Sequence, residues 1–348
     1  MESLSIKAYS VVMRKNLKIA VAVSALSLVL AGCSSSESES SGVKVIAAFY
    51  PLEFVAKTIG GDLISVENMT PPGVEPHDLE LTPKQITTLD DADLLLYVAG
   101  FQPALEEAAT QSAPANSLDV MAINGLNLLG ATEDGHNHGE EAHSDEEAHS
   151  DEEAHSDEEA HSDEEAHSDE EAHSDEEMLS DPHVWLDPER LIVVAKAVAA
   201  KLSEVDADNS ETYATNLASF VEQLESLDAD FTSGLASCER RLIVTSHAAF
   251  AYMADAYNLE QEAISGLSPE SEPTPKRLNE IGKEAKADGT TTIFFETLAS
   301  PKVAQTLADD LNISAAVLDP IEGIGEGQTY FSIMESNLAA LRKALNCN

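Results

Sequence analysis

The chain has 348 residues, 43% of them hydrophobic, so it is long enough for one large domain or two medium ones, and its formal net charge is −45. Between Glu133 and Glu177 lie 22 carboxylates and no Lys or Arg, which leaves −23 on the remainder. That balance argues against nucleic acid, whose binding needs clustered Lys and Arg to displace counterions, and favours a cation as partner.

At the N-terminus Arg14, Lys15 and Lys18 precede an apolar run from Ile19 to Leu30. The run is too short to span a membrane comfortably and has the form of a signal peptide. It ends in Leu30-Ala31-Gly32-Cys33, which resembles a bacterial lipobox. Residues 1–32 are therefore expected to be a lipoprotein signal peptide, with Cys33 the lipid anchor and residues 33–42 a Ser/Glu-rich flexible tether. The other reading is an ordinary signal peptide with an incidental Cys. Met13 is an alternative start, since residues 1–12 add nothing to the signal.

Residues 43–132 read as an α/β lobe. Val43 to Phe49 and Leu63 to Thr70 suit strands, with a helix from Leu52 to Ile59 between them that Gly60-Gly61 ends. Asp93 to Gly100 is a short apolar run, the pattern of a buried parallel strand. Residues 133–180 form a low-complexity insertion. Its hexad EEAHSD occurs six times from Glu140 and places His143, His149, His155, His161, His167 and His173 at six-residue intervals, with His136 and His138 ahead of them. Little there can be buried and like charges repel, so disorder is expected. On a helix, successive His side chains would point about 120° apart, so any binding of metal would depend on chain flexibility.

Residues 181–206 complete the first lobe, with a helix from Glu189 to Ser203. Residues 207–237 suit a long linking helix, because Tyr213, Leu217, Phe220, Val221, Leu224, Leu227, Phe231 and Leu235 recur at intervals of three and four. Residues 238–348 repeat the α/β alternation. Strands are expected at Arg241–Ser246, ending at Ala263–Gly266, at Thr291–Glu296 and at Ala315–Asp319; helices run through Tyr257, over Lys276–Lys286, Ala299–Leu311 and Phe331–Leu345. The fold class is α/β, two lobes on a backbone helix. Cys238 and Cys347 are an even pair in an oxidising compartment, expected to form a disulfide; two free buried thiols are the alternative.

Three histidines stand outside the repeat: His77, His183 and His247. Each sits where a strand or loop gives way to the next element, where open α/β sheets bind ligands. Neutral imidazole suits Zn²⁺, and three His with one carboxylate make a closed tetrahedral site; Asp319, at a strand end, is the candidate fourth ligand. Spacing alone does not separate this from capping or core histidines. The surrounding words do. Pro72-Gly73-Val74-Glu75-Pro76-His77-Asp78-Leu79-Glu80-Leu81-Thr82-Pro83, Asp181-Pro182-His183-Val184-Trp185-Leu186-Asp187-Pro188, Thr245-Ser246-His247-Ala248-Ala249-Phe250 and Leu318-Asp319-Pro320-Ile321 resemble the cluster A-I metal-binding proteins of ABC importers, most of all the ZnuA-type zinc branch.

The resemblance implies a lipid-anchored, extracytoplasmic, monomeric protein that binds Zn²⁺ in a cleft between two lobes and passes it to an ABC permease. It implies zinc ligation by His77, His183 and His247, and an acidic position at Asp319 that in some members gives way to water or a nearby Glu. Glu75 and Glu296 are neighbours of that set, either as supports of the ligands or as solvated acids. The insertion resembles the family's His-rich loop, an auxiliary weak binder of metal; a plain acidic linker is the other reading. Manganese-binding relatives carry a carboxylate where His247 stands, and imidazole there favours zinc. A surface adhesin is an alternative role. A zinc hydrolase is disfavoured, because HExxH and GxSxG are absent and a filled fourth position leaves no water to activate.

Overall fold

Short apolar runs bounded by turn residues become the strands of two parallel sheets. The computed structural model describes residues 42–112, 114–130 and 180–348; Cys33 and the histidines from His136 to His173 lie outside the described residues. The first sheet contains β1 (Val43–Ala47), β2 (Ile64–Asn68), β3 (Leu94–Tyr97) and β4 (Ser117–Asp119), in the order β2-β1-β3-β4. Every pairing is parallel, Val45 standing opposite Val66 on one side and Leu94 on the other. The crossovers are α1 (Tyr50–Gly60), α2 (Pro83–Asp90) and α3 (Pro103–Ser112).

Two long helices follow. In α4 (Pro188–Val205) Asp187 caps the start by accepting from the Glu189 amide, and Pro188 supplies the first helical position. Then α5 (Ser210–Leu235) runs for 26 residues, about 39 Å at 1.5 Å per residue. Its buried stripe of Tyr213, Phe220, Leu224, Leu227, Phe231 and Leu235 has helical spacing, and it packs on α1 and α4 of the first lobe. In the second lobe it touches α6 (Ala251–Tyr257) and α9 (Tyr330–Leu345).

The second sheet has β5 (Leu242–Thr245), β6 (Glu260–Ala263), β7 (Thr292–Phe295) and β8 (Ser314–Val317), again parallel and in the order β6-β5-β7-β8. Besides α6, its crossovers are α7 (Pro275–Asp288) and α8 (Lys302–Leu311). Corresponding helices open alike: Thr82-Pro83-Lys84 begins α2 and Thr274-Pro275-Lys276 begins α7, the Thr side chain accepting from the third helical amide in both. Each sheet reverses its direction of growth between its first and third strands. The crevice beyond the carboxyl ends at that switch is where such sheets hold ligands.

One apolar core continues through both lobes, from Val45 and Leu95 through Trp185, Leu191, Phe220 and Leu224 to Phe294, Leu318 and Met334. A smaller core of Val244, Ile264, Ile281, Ile293 and Leu307 lies under α7 and α8. Buried hydrogen bonds also cross between the halves: Trp185 Nε1 donates to Pro320 O at 2.7 Å, Tyr330 OH to Trp185 O at 2.8 Å and Tyr330 N to Tyr50 OH at 3.0 Å. A disulfide between Cys238 and Cys347, 109 residues apart, ties the end of α9 to the chain that leaves α5. Among the described residues no helix is long and apolar enough to cross a membrane.

Candidate metal centre

Four loops supply the site, three of them at the carboxyl ends of strands. His77 lies between β2 and α2, where Gln102 Nε2 donates to Pro76 O at 3.2 Å and to Thr70 Oγ1 at 2.9 Å. The His77 ring stands edge-on to Phe101, with centroids 4.4 Å apart. His183 follows an antiparallel bridge between Gly130 and Ser180 and precedes the turn Val184–Leu186 that leads into α4. His247 comes two residues after β5. Glu322 follows β8 in the turn that begins at Asp319. Phe49, Phe101 and Trp185 pack with centroids 4.5–5.2 Å apart and form an apolar wall against His77 and His183.

One oxygen of Glu322 relates the three rings. Its Oε1 lies 3.4 Å from His77 Nε2, 3.3 Å from His183 Nε2 and 3.3 Å from His247 Nε2. Donors bound at about 2.0–2.1 Å to a tetrahedral ion stand about 3.3–3.4 Å from one another, the edge of the tetrahedron. Ligand atoms from all four residues fall within 4.8 Å of each other. The side chains of His183, His247 and Glu322 are 0% exposed and that of His77 is 10% exposed. None of the three Nε2 atoms nor either Glu322 oxygen makes a hydrogen bond. Leaving so many buried polar atoms unpaired is costly, and a cation bound among them satisfies them together.

The opposite ring nitrogens are held by carboxylates. Asp181 Oδ1 is 2.7 Å from His183 Nδ1 and accepts from the His183 amide at 2.8 Å. Glu296 Oε1 is 3.0 Å from His247 Nδ1 and accepts from Ser246 Oγ at 2.8 Å. A carboxylate on Nδ1–H sets the tautomer, so that the Nε2 lone pair faces the centre. Burial opposes charge on His247, but Glu296 and Glu322 outweigh it and bring its pKa to about 10. His183 is raised likewise, Asp181 and Glu322 overcoming its burial. At His77 burial prevails and lowers the pKa. Burial works against ionisation of Glu322 too, but the three imidazoles hold its pKa well below the usual range. Burial and the charge of Glu322 push Glu75 up to about 8.

The structure thus brings His77, His183 and His247 together, as their sequence context suggests. Asp319, expected as the fourth ligand, lies outside the group. Its Oδ1 accepts from the Ile321 amide at 2.8 Å and its Oδ2 from Thr297 Oγ1 at 2.9 Å, so both oxygens are turned to its own loop and to the end of β7. Glu322, three residues on, is the carboxylate grouped with the three rings instead. Sequence reasoning missed it; the available signal was a carboxylate in a Pro- and Gly-containing turn just after a strand. Glu296 holds the Nδ1 side of the His247 ring, and Glu75 Oε1 accepts from the His77 amide at 3.1 Å.

The family model for zinc-uptake complex component A, periplasmic (ZnuA), matches residues 45–344. The zinc-binding protein AdcA of Streptococcus pyogenes is 34% identical over 305 residues, covering 86% of this chain and 55% of that protein. The high-affinity zinc uptake system protein ZnuA of Bacillus subtilis is 31% identical over 335 residues, covering 93% of this chain and 96% of that protein. The crystal structure of Zn(II)-bound AdcA from Streptococcus pneumoniae superposes with a TM-score of 0.66 at 29% identity, over 88% of this chain and 58% of that one. The chain therefore spans little more than half the length of these AdcA relatives.

Proposed function

Because this chain belongs to the family of zinc-uptake complex component A, we propose that it is an extracytoplasmic carrier which holds one Zn²⁺ between its lobes and delivers it to an ABC permease. His77, His183 and His247 would bind through Nε2 and Glu322 through a carboxylate oxygen. The observation that carries this reading is the placement of Glu322 Oε1 at a tetrahedral-edge distance from all three nitrogens, in a buried pocket where none of these atoms has a hydrogen bond. Three imidazoles and one carboxylate suit Zn²⁺; Mn²⁺ is better served by an oxygen-rich set. Four protein donors complete a tetrahedron and leave no coordination position for an activated water, which favours carriage over hydrolysis.

In this reading Cys33 anchors a monomer to the outer face of a membrane by lipid, and the histidines from His136 to His173 bind metal weakly as an auxiliary store. Calorimetric titration of the full chain with Zn²⁺ and Mn²⁺ tests it. One tight Zn²⁺ equivalent is expected, lost in His247→Ala and kept when residues 133–177 are deleted, with Mn²⁺ binding weakly. A tighter site for Mn²⁺, or loss of the tight Zn²⁺ site on deleting 133–177, would overturn it.

A further inference from the structure

Glu322 follows a residue in a conformation that its type avoids. Ile321 has φ of 59°, in the left-handed region, where a β-branched side chain is strained. The other non-glycine residues with positive φ among the described residues are Asn127, Asn258, Asn312 and Asn346, a type that tolerates it. Such an outlier persists only where the surroundings over-determine it.

Those surroundings can be named. Asn337 of α9 is buried, and its side chain grips the backbone of Asp319 at both ends, Nδ2 donating to Asp319 O at 2.7 Å and Oδ1 accepting from Asp319 N at 2.9 Å. Asp319 passes the hold forward, its Oδ1 accepting from the Ile321 amide at 2.8 Å while Thr297 Oγ1 fixes its Oδ2 at 2.9 Å. Trp185 Nε1 secures the carbonyl between them, Pro320 O, at 2.7 Å. The Ile321 side chain is fully buried in the main core, which offsets part of the strain. Rotating φ of Ile321 back to an ordinary negative value would re-aim everything that follows it, beginning with Glu322.

We propose that Asn337 and Asp319 are positioning residues for metal capture: together they hold Ile321 in its left-handed conformation and so aim the Glu322 carboxylate at the three imidazoles. Asn337 touches no ligand atom and acts wholly through the turn. The proposal rests on the reading of the centre as a zinc site.

The test uses the full chain and three readouts: zinc affinity by chelator competition, the visible spectrum of the Co²⁺-loaded protein, and thermal unfolding of the metal-stripped protein. Asn337→Ala is expected to weaken zinc about 10–100-fold, the usual cost of removing an outer support of a metal site. Its Co²⁺ absorption should move in the direction produced by Glu322→Gln. In the Glu322→Gln background Asn337→Ala should add little, because the two changes remove one interaction. Ile321→Gly, which adopts positive φ without strain, should restore much of the affinity lost in Asn337→Ala. If Asn337→Ala does not fold, Thr297→Val, at an exposed position just after β7, is expected to weaken zinc about two- to tenfold, the worth of the one hydrogen bond it gives to Asp319. Lower thermal stability with unchanged zinc affinity and Co²⁺ spectrum would overturn the proposal, as would an equal loss in the Glu322→Gln background. A wild-type chain that binds no zinc would instead overturn the carrier reading itself.

Discussion

At the proposed zinc centre, protons and zinc compete for the same imidazole nitrogens, and the carboxylates around them set the terms. His247 has a pKa of about 10 against an ordinary value of 6.5. Its protonation therefore stabilises the metal-stripped fold fully below pH 6.5, and that stabilisation is lost as pH rises towards 10. Glu75, raised to about 8 from 4.5, loses its proton over a lower range and adds negative charge beside the centre. Zinc needs deprotonated donors, so binding releases protons and apparent affinity falls as pH falls. The rise in Tm caused by zinc is expected to grow between pH 6.5 and 9; a rise that shrinks across that range would contradict this electrostatic picture. Glu296→Gln, which weakens the hold on His247 Nδ1, is expected to lower zinc affinity about 10–100-fold by chelator competition. That His77, His183 and His247 come together was legible in the sequence because each stands in a distinctive Pro- or Ser-containing word outside the repeat. Glu322 was not, since its role depends on the φ of Ile321, which neither periodicity nor spacing displays. Asp319 looked like a ligand because it sits where ligands usually sit, at a strand end, while its oxygens in fact organise the turn.

Helices and strands carry these residues to one place, and their legibility followed how much each buries. The spacing from Tyr213 to Leu235 marked α5 because one full stripe of that helix is buried. By contrast α2 buries Leu89 alone, and β4 has 3 residues, so neither leaves a pattern to read. The Thr82-Pro83 start with Gln85 three residues on was the readable signal of α2, a reciprocal cap present in the structure. The end of α9 is held with particular care. Ala344 O accepts from Arg240 Nε at 3.3 Å and from Thr291 Oγ1 at 2.9 Å, and the disulfide follows at Cys347. Closing a loop of 109 residues restricts the unfolded chain by about 4–5 kcal/mol on the loop-entropy account. Replacing both Cys238 and Cys347 with Ser is expected to lower unfolding free energy in guanidinium by about that amount. A loss below about 1 kcal/mol would show that the bridge constrains the unfolded chain far less than its span implies.

At the scale of the whole molecule, the shared core makes the lobes one mechanical body. The described residues from Val43 to Asn348 form a single compact unit, and the main core contains side chains of both sheets together with α4, α5 and α9. One cooperative calorimetric transition is therefore expected for this region, moving upward as a unit with zinc; two separate transitions, only one of them responding to zinc, would contradict it. The alternation of strands and helices was enough to read two α/β lobes. That they share one core was not readable, because it depends on contacts such as Trp185 to Pro320 that pair residues 135 positions apart. The central claim is that a single zinc ion sits among His77, His183, His247 and Glu322, and anomalous diffraction at the zinc edge from protein loaded with one equivalent tests it most directly. The expected result is one strong peak about 2.0–2.1 Å from the three Nε2 atoms and a Glu322 oxygen. A peak held instead by Asp319, or none within bonding distance of these imidazoles, would contradict it.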